Sequence, residues 1–304
     1  MAAAVPDAES STAPAIATLR AGDEVRAVFA CTRKERLMSR AGTPYLALEL
    51  RDRTGALSAR VFRDADVAAG RFERGDLVRV DGRVERFRDE LQLDLRTIAR
   101  APDGEADPAA FLPTAYRDLD ELDGFLEHLA REVHDPGYAG LLDRLLADDA
   151  LRAQWRRAPC SRAGHHAYLG GLLEHTVAVG TLALEACQLH PRLHRDLLLC
   201  AALVHDLGKT REFTYGAEIG LSEEGRLLGH VELGLRLLDD HAARVPAMDA
   251  ARRLALAHCV LTHHGPEAAP TRRFGSPEAV ALYRLNTVDA AVKGALEHGL
   301  GIDS

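Results

Sequence analysis

Six side chains in the C-terminal half of the chain are of types that hold metal ions: His175, His205, Asp206, His230, His263 and His264. They stand in Leu173-Glu174-His175, Val204-His205-Asp206-Leu207-Gly208-Lys209, Gly229-His230 and Thr262-His263-His264-Gly265, each within or beside apolar residues at helical spacing. Imidazole and carboxylate groups are costly to bury in apolar helices without partners, and one shared metal centre would partner all six. Neutral imidazole suits manganese, iron, cobalt, nickel or zinc better than magnesium. The one carboxylate, Asp206, can bridge two cations, and a pair of cations about 3.5–4 Å apart activates water and clamps a phosphoryl oxygen. Lys209, one of only three lysines, lies one helical turn past His205, where a compact ammonium would meet phosphate. Asp206 and Lys209 are therefore the expected catalytic pair. His190, His194, His241, His258 and His298 are expected to be satisfied helix residues.

The elements that position these groups are helices. From Leu119 onward the apolar period is 3.6, in Leu119, Leu122, Phe125, Leu126 and Leu129, then Leu141, Leu142, Leu145 and Leu146. One helix carrying Leu197, Leu198, Leu199, Ala202 and Leu203 delivers His205 and Asp206 at its end, with Gly208 as its stop. No convincing strand follows, so residues 119–304 are expected to be all-α.

The N-terminal third has period two instead. Val25, Ala27, Phe29 and Cys31, then Leu46, Leu48 and Leu50, then Leu57, Ala59 and Val61, then Val78, Val80 and Val84, then Leu91, Leu93 and Leu95 predict five strands with one buried face. Asp64 to Gly75 is helical in character, and a helix between strands three and four is the order of an OB barrel. Such barrels hold single strands with aromatic platforms and basic side chains. Tyr45 and Phe62, out of phase with the core, are the expected platforms, with Arg51, Arg60, Arg79 and Arg83 as phosphate contacts. The expected division is a flexible tail over 1–22, the barrel over 23–101, a Pro/Gly/acid-rich linker over 102–118 and the helical domain over 119–304. The fold class is multidomain α+β.

Charge supports that division. The formal net charge of -8 is spread unevenly: residues 24–102 carry 17 Lys+Arg against 13 Asp+Glu, or +4, and the residues after them carry -10. The total argues against a nucleic-acid partner, whereas the split places positive charge on the expected strand-binding domain. No run approaches the ~18–20 apolar residues of a membrane span. Five scattered cysteines without a CxxC pair, and a start without a basic and apolar leader, lead to the expectation of a soluble cytoplasmic protein.

The order of motifs resembles a known family. His175…His205-Asp206 is similar to the HD-domain metal-dependent phosphohydrolases. The fuller string His165-His166-Ala167-Tyr168-Leu169-Gly170-Gly171-Leu172-Leu173-Glu174-His175-Thr176, with Gly225-Arg226-Leu227-Leu228-Gly229-His230 and Thr262-His263-His264-Gly265, resembles the YhaM family of 3′-to-5′ exoribonucleases. That family joins an OB barrel to an HD domain. The resemblance implies two divalent cations, manganese first and iron, cobalt or nickel as alternatives, and hydrolysis from the 3′ end of single-stranded nucleic acid, RNA favoured over DNA. The absence of a long apolar run leads to the expectation of no membrane partner, and a homo-oligomer stays open. The resemblance also implies His175, His205, Asp206, His230, His263 and His264 as ligands, Asp206 as the bridge and Lys209 as the phosphate contact.

Two departures from the pattern stand out. Where the family has Ala-Asp-x-x-(Asp/Glu)-Ala, this chain has Leu285-Asn286-Thr287-Val288-Asp289-Ala290, so the implied ligand is Asn286, with Asp289 as a substitute on the same helical face. A neutral amide should weaken that site, and Asn286→Asp is expected to raise metal affinity or activity. The loop from Gly265 to Glu278 also differs, carrying Arg272, Arg273 and Phe274. Two other readings stay open: a nucleic-acid-binding or regulatory protein with a weakened HD site, and an HD phosphohydrolase acting on nucleotides.

Overall fold

The computed structural model describes residues 15–102 and 104–299. The described residues divide into two compact units, the first running to Leu112 and including Tyr215–Glu218, the second running from Pro113 to Thr214 and from Ile219 onward.

In the first unit, β1 (Glu24–Met38), β2 (Pro44–Asp52), β3 (Gly55–Val61), β4 (Leu77–Phe87) and β5 (Glu90–Arg100) close into a barrel in the order β1-β2-β3-β5-β4, with α1 (Ala65–Ala69) between β3 and β4. The β3–β5 pair is parallel and the others antiparallel. The alternating residues point inward as their period requires: Val25, Phe29, Leu46, Leu48, Leu50, Ala59, Val61, Val78, Val80, Leu93 and Leu95 are all buried. Asp52 Oδ1 accepts from the backbone amides of Thr54 and Gly55, which tightens the β2–β3 turn. Lys34 is spent structurally, its Nζ donating to the carbonyls of Ala69 and Phe72 behind α1.

The flexible tail expected over 1–22 does not hold for its described part. Residues 1–14 lie outside the described ones, but Ile16–Thr18 form a 3-10 turn, and Ile16 and Leu19 are buried in the barrel core. Two apolar residues three apart, with the Ile16 amide donating to Asp52 Oδ2 at 2.7 Å, give that segment a reason to order. The unit boundary at Leu112 falls inside the stretch read as a linker. Asp107 caps a 3-10 turn over Pro108–Ala110, and the Arg53 amide donates to the Ala110 carbonyl.

The second unit is built from α2 (Leu119–Arg131), α3 (Pro136–Leu146), α4 (Asp149–Arg157), α5 (Gly171–Leu189), α6 (Arg195–Val204), α7 (Lys209–Glu212), α8 (Glu223–Ala242), α9 (Ala250–Thr262) and α10 (Pro277–His298). The helix starts are explicit in the sequence: Asp118, Asp135, Asp148, Ser222, Asp249 and Ser276 each accept a backbone N–H of the first turn. Helices α5 and α6 pack together, and both meet α10. Their shared core includes Leu172, Leu173, Leu198, Leu199, Leu203 and Leu282, with Trp155 donating to Thr176 Oγ1. The unit is helical as expected apart from two short strands the period did not reveal, β6 (Phe213–Tyr215) and β7 (Ile219–Leu221), of which Tyr215 is counted with the first unit. At three residues each, those strands are too short to show an alternation. Among the described residues no helix is long and apolar enough to cross a membrane.

Candidate metal centre and strand-binding face

The centre of the helical unit is Asp206, which follows α6 and is 1% exposed. Its two oxygens face different partners. Oδ2 lies 3.4 Å from His175 Nε2 and 3.4 Å from His205 Nε2, and 2.7 Å from Lys209 Nζ. Oδ1 lies 3.3 Å from His263 Nε2 and 3.5 Å from His230 Nε2. His264 completes the second set, its Nε2 2.9 Å from that of His230. Donor atoms of His175, His205 and Asp206 form one group within ligand reach of each other, and those of Asp206, His230, His263 and His264 form another.

Four of the five imidazoles are fixed by the ring nitrogen that faces away. His175 Nδ1 meets Asp289 Oδ2 at 2.6 Å, His205 Nδ1 meets the Ala202 carbonyl at 2.9 Å, His230 Nδ1 meets Glu212 Oε1 at 3.2 Å and His263 Nδ1 meets the Val260 carbonyl at 2.5 Å. Each acceptor holds the proton on Nδ1, so each Nε2 presents a lone pair, the tautomer that metal ligands use. The bare nitrogens then confront one another, His175 Nε2 standing 3.2 Å from His205 Nε2. Asp206 Oδ1 and His263 Nε2 are buried with no hydrogen-bond partner. Lone pairs converging in a buried space require a cation, so the donor set fits divalent metal on chemical grounds.

Electrostatics agree. Burial alone would raise the Asp206 carboxyl, but Lys209 and His205 beside it hold it well below the carboxylate range. Burial likewise opposes the Lys209 charge, and Asp206 restores it, leaving the ammonium raised. Burial lowers His175 to about 4, which keeps its ring neutral.

Backbone geometry brings these segments together. Gly208 is not the left-handed helix stop expected of it: its φ is -62°, and its requirement is close approach. A Cβ there would sit 2.0 Å from the His230 carbonyl, so glycine lets α8 run directly past the end of α6. Gly229, at φ 72°, breaks α8 and turns the His230 amide and ring onto Glu212.

The two departures resolve differently. Asn286 is buried, but its Nδ2 donates to the His263 carbonyl at 3.3 Å. Asp289 is the carboxylate that reaches the centre, through His175 Nδ1, and it also accepts from His166 Nε2 at 3.0 Å. In the variant loop, Phe274 packs against the helical core and the Gly275 amide donates to His258 Nε2. Sequence reasoning passed over His166, Tyr168, Glu174, Glu212 and Lys293, which form the supporting shell. His166 Nδ1 meets Tyr168 Oη at 2.9 Å, Tyr168 donates to Glu174 Oε2 at 2.8 Å, and Lys293 donates to Glu174 Oε1 at 3.1 Å. The His165-His166 doublet was a visible signal, but its partner Asp289 lies over 120 positions away.

On the barrel, Tyr45 and Phe62 stack with ring centroids 5.4 Å apart and planes at 29°, and the Arg60 guanidinium lies 5.8 Å from the Tyr45 ring centre. Phe62 is 51% exposed, a large apolar area for a barrel exterior. Arg51 is exposed on the same outer side of β2 as Tyr45. Arg79 and Arg83 are set apart from β2 and β3, although Arg83 is in register with Asp94 of β5, which is itself paired with Arg60. They lie on β4, which pairs with β1 and β5, and Arg79 is bound to Glu105 at 2.6 Å.

Residues 172–291 match the HD domain family, and residues 28–99 match a family described as an OB-fold nucleic acid binding domain. The chain is 30% identical over 278 residues to the 3′-5′ exoribonuclease YhaM of Bacillus velezensis, covering 88% of this chain and 85% of that protein. It is 29% identical to the protein of the same name from Bacillus subtilis, covering 82% and 79%. The like-named protein of Shouchella clausii is 30% identical over 260 residues.

Proposed function

We propose, from a chain that belongs to the YhaM family of 3′-5′ exoribonucleases, a metal-dependent exonuclease that shortens single-stranded nucleic acid from its 3′ end, with RNA preferred and manganese as the working cation. One observation carries this reading: the two oxygens of Asp206 face separate sets of imidazole lone pairs, an arrangement suited to two bridged cations. Divalent cations held by these residues would supply activation of water and neutralisation of phosphoryl charge.

The chain's own residues divide the remaining work. Asp206 is the shared carboxylate, with His175 and His205 on its Oδ2 side and His230, His263 and His264 on its Oδ1 side. Asp289, Glu212 and the carbonyls of Ala202 and Val260 hold the rings in the ligating tautomer. Lys209 is the group assigned to phosphate, because its buried ammonium stands at the same hub. Tyr45 and Phe62 give the strand a stacking platform, and Arg51 and Arg60 give it local positive charge. A cytoplasmic location belongs to the same proposal.

The test is a 5′-end-labelled single-stranded RNA incubated with purified protein and manganese. A ladder of progressively shorter labelled products is expected, and Asp206→Ala should abolish it. Immediate release of labelled mononucleotide, or cleavage of free nucleotides with indifference to oligonucleotides, would overturn the reading. The same strand made as DNA tests the RNA preference.

A further inference from the structure

The loop between α4 and α5 holds a cysteine that apolar packing does not explain. Cys187, Cys200 and Cys259 sit in the apolar core of the helical unit and Cys31 sits in that of the barrel. Cys160 is 1% exposed yet belongs to neither core. Its Sγ is 3.8 Å from His165 Nε2, 3.7 Å from Asp206 Oδ2 and 3.4 Å from Lys209 Nζ.

The loop is built to make that juxtaposition. The Cys160 amide donates to the His166 carbonyl at 3.1 Å, closing residues 160–166 on themselves. Inside the closure, Ser161 Oγ donates to the His165 carbonyl and accepts from the Gly164 amide. His166 takes a left-handed φ of 52°, an uncommon conformation for a side chain of its size, which lets the chain turn there. A cysteine and a histidine five positions apart are thereby presented together, and His175 arrives from α5 with its ring 5.4 Å from that of His165. The donor atoms of Cys160, His165 and His175 all lie within 4.8 Å of one another. Tetrahedral coordination, with metal–sulfur bonds of about 2.3 Å and metal–nitrogen bonds of about 2.0 Å, sets sulfur and nitrogen roughly 3.5 Å apart. The observed 3.8 Å is close to that spacing.

We propose that Cys160, His165 and His175 form a thiolate–imidazole site for a thiophilic divalent cation of the zinc class. On loading, the S–H bond breaks, a sulfur–metal bond forms and the proton leaves to solvent. His175 has one free nitrogen, because Asp289 occupies Nδ1, so it serves either this site or the Asp206 centre. A soft cation here competes for a ligand of the proposed hydrolytic centre and acts as an inhibitor. That consequence rests on the function proposed above; the site itself does not.

The experiment titrates the metal-stripped full-length protein with cobalt and records its absorption spectrum. A near-ultraviolet sulfur-to-cobalt charge-transfer band is expected, lost in Cys160→Ser and weakened in His165→Gln, whose side chain is only partly buried. Visible cobalt bands without the sulfur band would overturn the thiolate site alone, as would a sulfur band that persists in Cys160→Ser. No cobalt spectrum at all would overturn both the thiolate site and the Asp206 centre. In a second arm, zinc is added to manganese-loaded protein acting on labelled RNA, each protein compared with its own uninhibited rate. Zinc should inhibit the natural chain at lower concentration than it inhibits either variant. Equal sensitivity would overturn the competition for His175.

Discussion

In the barrel, the residues that fill the interior are apolar from Val25 to Ile98, and charges stay outside in pairs such as Arg36 with Asp66 and Arg26 with Asp81. In the helical unit the interior is mixed. Among the described residues, every buried polar or charged side chain belongs to that unit, including His166, His175, His205, Asp206, Lys209, His263 and Asn286. The barrel therefore keeps its proposed strand-binding aromatics apart from what stabilises it, because Tyr45 lies on the outer side of β2, whose inner side is core, and Phe62 follows the end of β3 exposed. The helical unit cannot separate the two. Its reactive groups occupy space that Leu and Val would otherwise fill, and each must be matched by a partner or a cation.

Asp206→Ala tests that entanglement most severely. It removes the carboxylate whose two oxygens face the two imidazole sets, so hydrolysis should fall to background and metal analysis should find bound cation lost. It also leaves Lys209 buried without its partner, a change expected to cost about 3–5 kcal/mol in denaturant unfolding. A variant that loses activity but keeps its stability would break the comparison, since site and core would then be separable.

Acid is the next lever. Metal-stripped protein keeps His175 neutral down to about 4, whereas the unfolded chain takes up a proton near 6.5. The unfolded state therefore binds more protons between those values, and stability is complete above about 6.5 and falls as pH is lowered towards 4. His175 alone contributes about 3 kcal/mol at 1.36 kcal/mol per unit, and His263, also lowered by burial, acts in the same direction. All 14 histidines lie from His128 onward, outside the barrel. Calorimetry of the full chain from pH 7 to 4.5 should show the helical transition moving down while the barrel transition holds. Parallel shifts in both would contradict the assignment.

The barrel's counterpart is Tyr45→Ala combined with Phe62→Ala. Stacking is worth ~1–3 kcal/mol per base, so oligonucleotide affinity measured by anisotropy should drop by one to two orders of magnitude. Hydrolysis of a small phosphodiester and the barrel's thermal transition should stay nearly unchanged. Equal loss of both activities would show that the aromatic pair serves the reaction rather than the strand.

The same contrast explains what was legible in the sequence. The barrel's strand order could be read because alternation is local: Leu46, Leu48 and Leu50 announce their face within five residues. The hub could be named because imidazoles in apolar helices are conspicuous one at a time. Its supporting shell could be named only in part: Asp289 stands out as a candidate ligand, but nothing near it or Glu212 in the chain marks either as the hydrogen-bond partner of His175 or His230. Gly208 misled for a related reason. Its position suggested a helix stop, whereas its need comes from the backbone of His230, 22 positions on, and close approach leaves no periodic trace.

Asn286 gives the smallest and most discriminating case. Alignment with the family pattern makes it a neutral substitute for a ligating aspartate, so that Asn286→Asp should strengthen metal binding. Its contact makes it a donor: Nδ2 bonds the His263 carbonyl at the end of α9, and the preceding turn holds that ring through the Val260 carbonyl. A carboxylate in its place sets an acceptor against an acceptor in a position only 6% exposed, at a cost of about 1–3 kcal/mol. The expected result is a lower unfolding temperature in the metal-stripped protein and no gain in manganese affinity by calorimetric titration. Tighter manganese binding with stability intact would make Asn286 a ligand position after all. The helical interior would then hold a vacant carboxylate site, and the comparison with the barrel would need a third class of buried residue, one kept polar for a cation it no longer fully holds.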